Sequence, residues 1–242
     1  MEYEIIISKS NPASQNIKQF LKTYKETNKE LIYADTKTTK DIIIFACTHK
    51  SITEKPCFCI HYPGNFNKAE LGGKEKTLNI AASRLLRPLY QELKKQNTLN
   101  FEIAIEADHH GPNCNKPCLF IEIGSSEKQW NNKQAGKIIA TTIQNTIKKE
   151  LKKEKTIIIF GGTHYNQLAI KALENTNYNI GHICSKYNLP YLTKNTLKQA
   201  LEKNQDKIEF AYLDKKIKSE PRKKLIKLLE ELNIEYKTTL KT

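Results

Sequence analysis

Hydrophobic and polar positions alternate along this chain with two periods, one typical of strands and the other typical of helices. Short continuous apolar runs predict buried strands at 3–8, 41–47, 57–61, 118–123 and 156–160. Residues 101–106 alternate apolar and acidic side chains, which is the pattern of a half-exposed strand. Shorter runs predict further strands near 178–184, 210–213 and 234–237.

Apolar residues at helical spacing fill most of the segments between these strands. Helices are predicted after Asn11-Pro12, over 78–96, over 127–151, in a short segment after 162, from Thr193 and from Ser219. This alternation predicts an α/β fold with a mixed, mostly parallel sheet and helices on both faces. We expect an α/β catalytic core over 1–190 and a smaller, more polar α/β subdomain over 191–242.

The composition is that of a soluble protein, since 38% of the 242 residues are hydrophobic and 27% are charged. No apolar run approaches the ~20 residues that a membrane-spanning helix needs. The first ten residues lack a basic leader and a small-residue cleavage site, so we interpret them as a strand and expect a cytoplasmic protein. In that compartment the six cysteines should be reduced, and we interpret them as small buried side chains.

The net charge is +14 and the isoelectric point is near 9.4, which favours a polyanionic partner such as nucleic acid. Lysines are concentrated at 148–155 and at 215–227. The alternative is a chain that is rich in lysine throughout, in which these runs are solvated helix faces.

Polar side chains of catalytic type stand at or just beyond the ends of the predicted strands. All six histidines do so, namely His49, His61, His109, His110, His164 and His182. Because functional loops of α/β sheets gather at the carboxyl ends of the strands, this placement indicates an active centre. The alternative is a set of structural loop histidines that bond to backbone carbonyls.

The densest run is Glu106-Ala107-Asp108-His109-His110-Gly111-Pro112. Imidazole and carboxylate are ligands that Zn²⁺ takes, so this run predicts a metal site. Our hypothesis is that His109, His110 and His164 hold the metal, with His49, His61, His182 and Glu122 as further candidate ligands. In this hypothesis the three histidines move protons together with Glu106 and Glu122. A metal-bound water titrates near neutrality and can attack an ester carbonyl, while a His or Glu takes and returns the proton.

Two glycine pairs, Gly72-Gly73 and Gly161-Gly162, allow backbone N–H groups to approach a substrate closely. Neither pair fits the P-loop pattern, which needs a following Lys-Ser/Thr. The chain also has no G-x-S-x-G elbow, which argues against a serine hydrolase.

The same loops carry a family resemblance. The matching segments are His61-Tyr62-Pro63-Gly64-Asn65-Phe66 with Glu70-Leu71-Gly72-Gly73, the run from Glu106 to Pro112, Phe120-Ile121-Glu122-Ile123-Gly124-Ser125-Ser126-Glu127 with Trp130, Gly161-Gly162-Thr163-His164-Tyr165, and Gly181-His182-Ile183. In this combination and order the chain resembles the archaeal-type D-aminoacyl-tRNA deacylase family, which has plant relatives.

The resemblance implies hydrolysis of D-aminoacyl-tRNA to free D-amino acid and tRNA, with zinc as the cofactor and tRNA as the partner. It also implies a core like that of the phosphorylases and peptidyl-tRNA hydrolases, in a protein that acts as a cytoplasmic monomer. The matching loops are expected to bind the substrate through His61, Gly64, Asn65, Glu70, Gly72, Gly73, Gly161, Gly162 and Tyr165.

Two positions depart from the family pattern. Asp108 stands where a small polar residue is expected, and it adds a potential metal ligand or a negative charge. Thr163 stands where a third glycine is expected, and it narrows the backbone freedom of that turn.

Three other functions are compatible with the sequence. A peptidyl-tRNA hydrolase-like tRNA esterase would keep the charge and the polar centre but change the acyl group. A non-catalytic RNA-binding protein would explain the charge and leave the histidines idle. A zinc-dependent small-molecule amidohydrolase would make the charge incidental, and its substrate affinity would not fall steeply with salt.

Overall fold

The structure is a computed structural model that describes residues 1–240. Within these residues the strands are β1 (Tyr3–Ser8), β2 (Lys25–Thr27), β3 (Ile42–Lys50), β4 (Cys57–His61), β5 (Gly64–Asn65), β6 (Thr77–Leu78), β7 (Ile80–Ala81), β8 (Glu102–Ile105), β9 (Pro117–Ser125), β10 (Thr156–Phe160), β11 (Asn179–Cys184), β12 (Ile208–Leu213) and β13 (Tyr236–Lys237). The α-helices are α1 (Pro12–Lys18), α2 (Ser83–Gln96), α3 (Glu127–Trp130), α4 (Lys133–Thr146), α5 (Gln167–Asn175), α6 (Lys194–Glu202) and α7 (Ser219–Glu231).

The strands form two main sheets and one small hairpin. The first sheet has the order β2-β1-β3-β9-β4-β8, with β7 paired to the start of β9. Its neighbouring strands run parallel except β4 and β9, which are antiparallel. The second sheet, β11-β10-β12-β13, is parallel throughout, and β5 and β6 form the hairpin. The predicted α/β fold with a mixed, mostly parallel sheet is therefore confirmed.

The two faces of the first sheet are covered differently. Ile5, Ile44 and their neighbours on one face pack against α1 and α4, as the prediction of covering helices requires. On the other face, Phe45 and Phe120 stack at 4.6 Å and pack against the short 3₁₀ turn at Leu31–Tyr33. The second sheet has α5 on one face and α6 and α7 on the other.

One hydrophobic cluster extends from the first sheet to the second, since it contains Ile121 of β9, Ile157 of β10 and Phe210 of β12. The second sheet takes its strands from 156–237 and so crosses the predicted boundary after residue 190. The division into a core and a C-terminal subdomain stays a prediction.

Two predicted helices differ from the structure. The helix predicted over 78–96 begins only at Ser83, because Thr77–Leu78 and Ile80–Ala81 pair as strands. The helix predicted over 127–151 is broken between Trp130 and Lys133, and it ends at Thr146. At the break, the Asn132 side chain accepts from two N–H groups of the next turn and so starts a new helix.

The register of the first sheet brings the ends of four strands together. Glu122 of β9 lies opposite Cys47 of β3 on one side and Cys59 of β4 on the other. The end of β8 lies beside the end of β4, so the loop after β8 continues next to His61. No helix among residues 1–240 is long and apolar enough to cross a membrane.

Candidate functional site

Four histidines from three separate parts of the chain form one cluster, which we call the histidine cluster. His61 is the last residue of β4, His109 and His110 lie in the loop after β8, and His164 lies in the loop after β10. Ring centroids are 4.1 Å apart for His61 and His109, 4.4 Å for His109 and His110, and 4.6 Å for His109 and His164. His110 has a φ of 50°, and this left-handed conformation ends the extended strand geometry that would send adjacent side chains to opposite faces.

Three members of the cluster are held in the same way by backbone carbonyls. The Nδ1 atoms of His61, His109 and His110 lie 3.2, 3.0 and 2.5 Å from the carbonyl oxygens of Tyr62, Ala107 and Gly111. A carbonyl oxygen only accepts, so each Nδ1 must carry the hydrogen and each neutral ring keeps its lone pair on Nε2. This anchoring of one nitrogen is how metal-binding histidines are usually oriented.

Burial and repulsion between neighbouring imidazoles keep His109 and His110 uncharged, and we call these two residues the histidine pair. Burial, reinforced by the neighbouring His61, lowers the pKa of His110 to about 3. Burial, together with His61, His110 and His164, also holds the pKa of His109 well below its usual range. Neutral imidazole is the form that ligates a metal, so both rings are ready to bind one at neutral pH.

A second group, formed by two buried glutamates and His49, lies beside the histidine cluster. The His49 Nδ1 atom is 3.5 Å from a carboxylate oxygen of Glu106 and 3.5 Å from one of Glu122. Burial disfavours the charged imidazole, but the hydrogen bond to Glu122 and the charge of Glu106 outweigh it and raise the pKa of His49 to about 9. Although burial opposes ionisation of Glu122, the imidazoles of His49 and His61, at 3.5 and 3.6 Å, hold its pKa well below the usual range. The group therefore contains a buried imidazolium between carboxylates.

Several polar atoms of this centre have no hydrogen-bond partner within the described residues. They are the Nε2 atom of His61 and both carboxylate oxygens of Glu106. The Nε2 atom of His164 lies 3.0 Å from Glu106, but the contact lacks hydrogen-bond geometry. Unpartnered buried polar atoms are costly, so a missing ligand is the simplest account of them.

The donor set fits zinc. His61, His109 and His110 present ligand atoms within 4.8 Å of one another, and so do Glu106, His109 and His164. Imidazole nitrogen and carboxylate oxygen are the ligands of catalytic zinc sites. Assignment of His109, His110 and His164 as the metal ligands stays a prediction, and the further candidate His61 lies in one group with His109 and His110.

The centre faces two adjoining cavities. The larger one, of 660 Å³, is lined by His49, Glu122 and His164, and the smaller one, of 190 Å³, lies on the side of Asn65 and Glu70. His109 and His110 line both cavities. A substrate that enters either cavity therefore meets the histidine pair.

The predicted substrate-binding residues at 64–73 lie around the histidine pair. The Gly64 N–H donates to the His110 carbonyl at 2.8 Å. The Asn65 side chain donates to the Gly72 carbonyl at 3.0 Å, and Glu70 is exposed at the rim of the smaller cavity. Gly73 has a φ of 79° and packs so closely on Gly111 that a Cβ atom would lie 3.2 Å from its Cα. Gly64, Asn65 and Gly73 thus shape the turn that carries His110.

The N–H groups of Gly161 and Gly162 already have partners within the protein, and the assignment of these glycines to substrate binding stays a prediction. The Gly161 N–H donates to the Cys184 carbonyl at 2.9 Å, and the Gly162 N–H donates to the Asp214 carboxylate at 3.1 Å. Both donors are therefore already used. The two glycines have φ values of 105° and 70°, so their role is to make the turn that brings His164 to the cluster.

Asp108 and His182 were candidate metal ligands from the sequence, and both point away from the cluster. The His182 Nδ1 atom lies 2.5 Å from the Asp108 carboxylate, and its Nε2 atom lies 2.8 Å from the Lys203 carbonyl. The other Asp108 oxygen accepts from the Ile183 N–H at 2.9 Å. This pair ties the loop after β8 to β11, which is a structural role.

His49 was predicted only as one of the further candidate metal ligands, with no role of its own. Its Nε2 atom bonds the Tyr165 hydroxyl at 2.8 Å, so Tyr165, predicted to bind substrate, contacts the second group. The sequence signal that could have identified His49 is strand alternation. Because β3 continues to Lys50, this alternation puts Cys47 and His49 on one face of the strand.

This fold and this site define a class: an α/β protein with a buried centre of imidazoles and carboxylates, a donor set typical of metal-dependent hydrolases. Residues 36–237 match the family model of D-aminoacyl-tRNA deacylase. The chain belongs to the D-aminoacyl-tRNA deacylase family, so the predicted family and the predicted class of ester hydrolase are confirmed at that level.

Similar proteins agree with this assignment over almost the whole chain. A D-aminoacyl-tRNA deacylase of Metallosphaera sedula is 34% identical over 237 residues, covering 97% of this chain and 98% of its own. That of Sulfurisphaera tokodaii is 35% identical, covering 98% of this chain and 99% of its own. A crystal structure of a conserved protein of unknown function has a TM-score of 0.89 and 27% identity, covering 97% of this chain and 94% of that one.

Proposed function

We propose that this protein hydrolyses the ester between a D-amino acid and tRNA, releasing free D-amino acid and reusable tRNA. Family membership supplies the substrate class. The observation that carries the reaction is the histidine cluster itself, in which His61, His109 and His110 are anchored at Nδ1 and keep Nε2 free. The pair at His109 and His110 opens onto both cavities.

In this proposal the histidine cluster holds zinc. His61, His109 and His110 are one ligand group, with Glu106 and His164 beside it. When bound, zinc supplies a Lewis acid that lowers the pKa of a coordinated water and polarises an ester carbonyl.

The side chains around that centre move the proton. His164 lines the larger cavity, and its Nε2 atom lies 3.0 Å from the fully buried Glu106. A carboxylate behind an imidazole orients the ring and stabilises its protonated form, so His164 takes a proton from water and returns it to the leaving ribose hydroxyl. His49, which is already protonated, balances the charge of Glu106 and Glu122.

The substrate is polyanionic, and the +14 net charge attracts it. We expect the protein to act in the cytoplasm as a monomer.

The test is hydrolysis of matched D-tyrosyl-tRNA and L-tyrosyl-tRNA with and without a chelator. We expect rapid loss of the D-ester alone, abolished by the chelator and restored by zinc. Survival of both esters would contradict the proposed activity and favour RNA binding without catalysis. D-selective hydrolysis that ignores the chelator would keep the substrate and overturn the role of zinc.

A further inference from the structure

Two cysteines and a histidine lie together on the side of Glu106 and Glu122 away from the histidine cluster. Cys57 and Cys59 are alternate residues of β4, so their side chains share one face of the strand. Their sulfur atoms are 3.7 Å apart. Ligand atoms of Cys57, Cys59 and His49 all lie within 4.8 Å of one another.

The sulfur separation matches a specific kind of ligation. Two thiolates bound to one zinc ion at ~2.3 Å with a tetrahedral angle stand about 3.8 Å apart. A linear arrangement at the same bond length would need ~4.6 Å. A disulfide would need ~2.0 Å. The observed spacing is that of the thiol–thiol hydrogen bond that the two residues share, and a four-coordinate ion can replace this bond with little movement of the sulfur atoms.

His49 is oriented to be the third ligand. Its Nδ1 atom faces Glu106 and Glu122 at 3.5 Å, and its Nε2 atom bonds the Tyr165 hydroxyl at 2.8 Å. Tyr165 lines the same cavity of 210 Å³ as Cys57, so Nε2 is the nitrogen on the side of the thiols. A carboxylate on one ring nitrogen and a metal on the other is a common arrangement for a metal-binding histidine.

The cavity supplies access and a fourth position. Besides Cys57 and Tyr165 it is lined by Ser125, whose Oγ atom is 3.2 Å from the Cys57 sulfur. Cys59 is fully buried behind Cys57, so an ion enters past Cys57 and completes its coordination with water from the cavity. Two cysteines, one histidine and an open position form a known zinc donor set.

We propose that Cys57, Cys59 and His49 form a second metal site, for a thiophilic divalent cation of the zinc class. It is separate from the histidine cluster, with which it shares no ligand. Binding releases the protons of both thiols and the Nε2 proton of the His49 imidazolium to solvent, and it places the metal where the Tyr165 hydroxyl now bonds His49. Metal binding at this site therefore breaks the hydrogen bond between His49 and Tyr165, and an excess of a zinc-class ion inhibits the enzyme.

The chain offers a matched control in a second pair of buried thiols. Cys114 and Cys118 lie in a separate buried cluster with Phe45 and Phe120, and the Cys114 thiol donates to the Lys116 carbonyl at 3.3 Å. Within residues 1–240, no histidine joins these two cysteines in a group with metal-ligand spacing.

The experiment is titration of the metal-free protein with Co²⁺, followed by the sulfur-to-cobalt charge-transfer band in the near ultraviolet. Ions held by the histidine cluster give no such band, so the readout does not depend on the proposed deacylase activity. We expect the band in the wild type, its loss in Cys57→Ser/Cys59→Ser, and its retention in Cys114→Ser/Cys118→Ser. Circular dichroism and thermal melts check that both variants are folded.

Two results would overturn the proposal: no sulfur band in the wild type, which would make the pair ordinary buried thiols, or a band that survives in Cys57→Ser/Cys59→Ser. If the double variant does not fold, Cys57→Ser alone is used, and it should weaken Co²⁺ binding at least tenfold. In deacylation assays, excess Zn²⁺ should slow the wild type about tenfold and the Cys57→Ser/Cys59→Ser variant less than twofold. Equal inhibition of the two would also overturn the proposal.

Discussion

At the scale of single residues, the partner of each ring nitrogen decides what a histidine does. His61, His109 and His110 each donate from Nδ1 to a backbone carbonyl, which leaves Nε2 available to bind a metal. Both nitrogens of His182 already have partners, the Asp108 carboxylate and the Lys203 carbonyl, so neither is free for a metal. Residue type is the same in all four, and only the contacts distinguish the three proposed metal ligands from the structural histidine.

The first prediction follows from this difference. His61→Gln removes a ligand from the cluster, so zinc affinity should fall by more than the ~10–100-fold typical of changes outside the ligand shell. His182→Gln should leave zinc content unchanged. Zinc bound after gel filtration measures both. Loss of zinc from the folded His182→Gln variant alone would show that the two roles are reversed.

The second prediction concerns the pH dependence of stability in the metal-free protein. The pKa of His49 is raised from 6.5 to about 9, against burial, by Glu122 and Glu106. A pKa that is raised in the folded state stabilises the folded protein. This stabilisation is fully present below the pKa of the unfolded state and is lost as the pH rises through about 9. His49→Gln should therefore lower the free energy of unfolding by of order 3 kcal/mol at pH 6 and by little above pH ~10.

Denaturant unfolding at several pH values measures this difference. Tyr165→Phe is the control, because it removes the hydroxyl partner of His49 and leaves both carboxylates in place. It should keep the pH profile of the wild type. A His49→Gln effect that stays constant from pH 6 to 10 would contradict the raised pKa.

At the scale of elements, one side chain explains why a predicted helix is two helices. The Asn16 amide on α1 donates to the Trp130 carbonyl at 2.8 Å and to the Asn132 carbonyl at 2.7 Å. Both carbonyls belong to the break between α3 and α4, and the Asn132 carbonyl also accepts from the Gly136 N–H at 3.1 Å, so the Trp130 carbonyl depends more on Asn16. The packing is close, since a Cβ on Gly136 would lie 2.4 Å from the Asn16 side-chain oxygen.

The third prediction tests that contact. Asn16→Ala should lower the free energy of unfolding by about 1–3 kcal/mol, the cost of leaving buried polar groups without a donor. Gln19→Ala, in the exposed residue just after the same helix, is the control and should change stability by less than ~0.5 kcal/mol. Thermal or urea unfolding measures both. Equal stability of the two variants would mean that the break does not depend on Asn16.

At the scale of the whole molecule, the net charge acts on the substrate at long range, whereas the candidate site acts only on groups that enter it. The net charge of +14 acts over the whole surface, whereas the reacting centre is a buried pocket. A field of this kind raises the rate of encounter with a polyanion and is screened by salt. The chemical step, inside the cavity, should be shielded from that screening.

The fourth prediction separates these effects. Raising the salt from about 50 to about 200 mM should raise KM for D-aminoacyl-tRNA about tenfold or more, because phosphate contacts release counterions. The kcat should change less than about twofold. Steady-state deacylation at each salt concentration measures the two constants. A salt-independent KM would indicate that the protein reads only the aminoacyl end of its substrate.

The sequence by itself determined the order and the type of most elements. Strand Tyr3–Ser8 and strand Thr156–Phe160 were predicted to the residue, because continuous Ile-rich runs bounded by polar residues are a local signal. It also predicted that the histidines stand at strand ends. The tRNA ester as substrate class came from the family resemblance and not from any of these patterns.

Only the tertiary structure decided what depends on contacts between distant segments. Among the candidate ligands, it separated His61 from His182, which differ only in what lies across from them. It placed the paired thiols beside His49, and it broke the helix at Asn132 through Asn16, 116 residues away. Periodicity indicates which face of an element is buried. The register of one strand against another determines which polar atoms meet, and this register depends on contacts between segments that are distant in sequence.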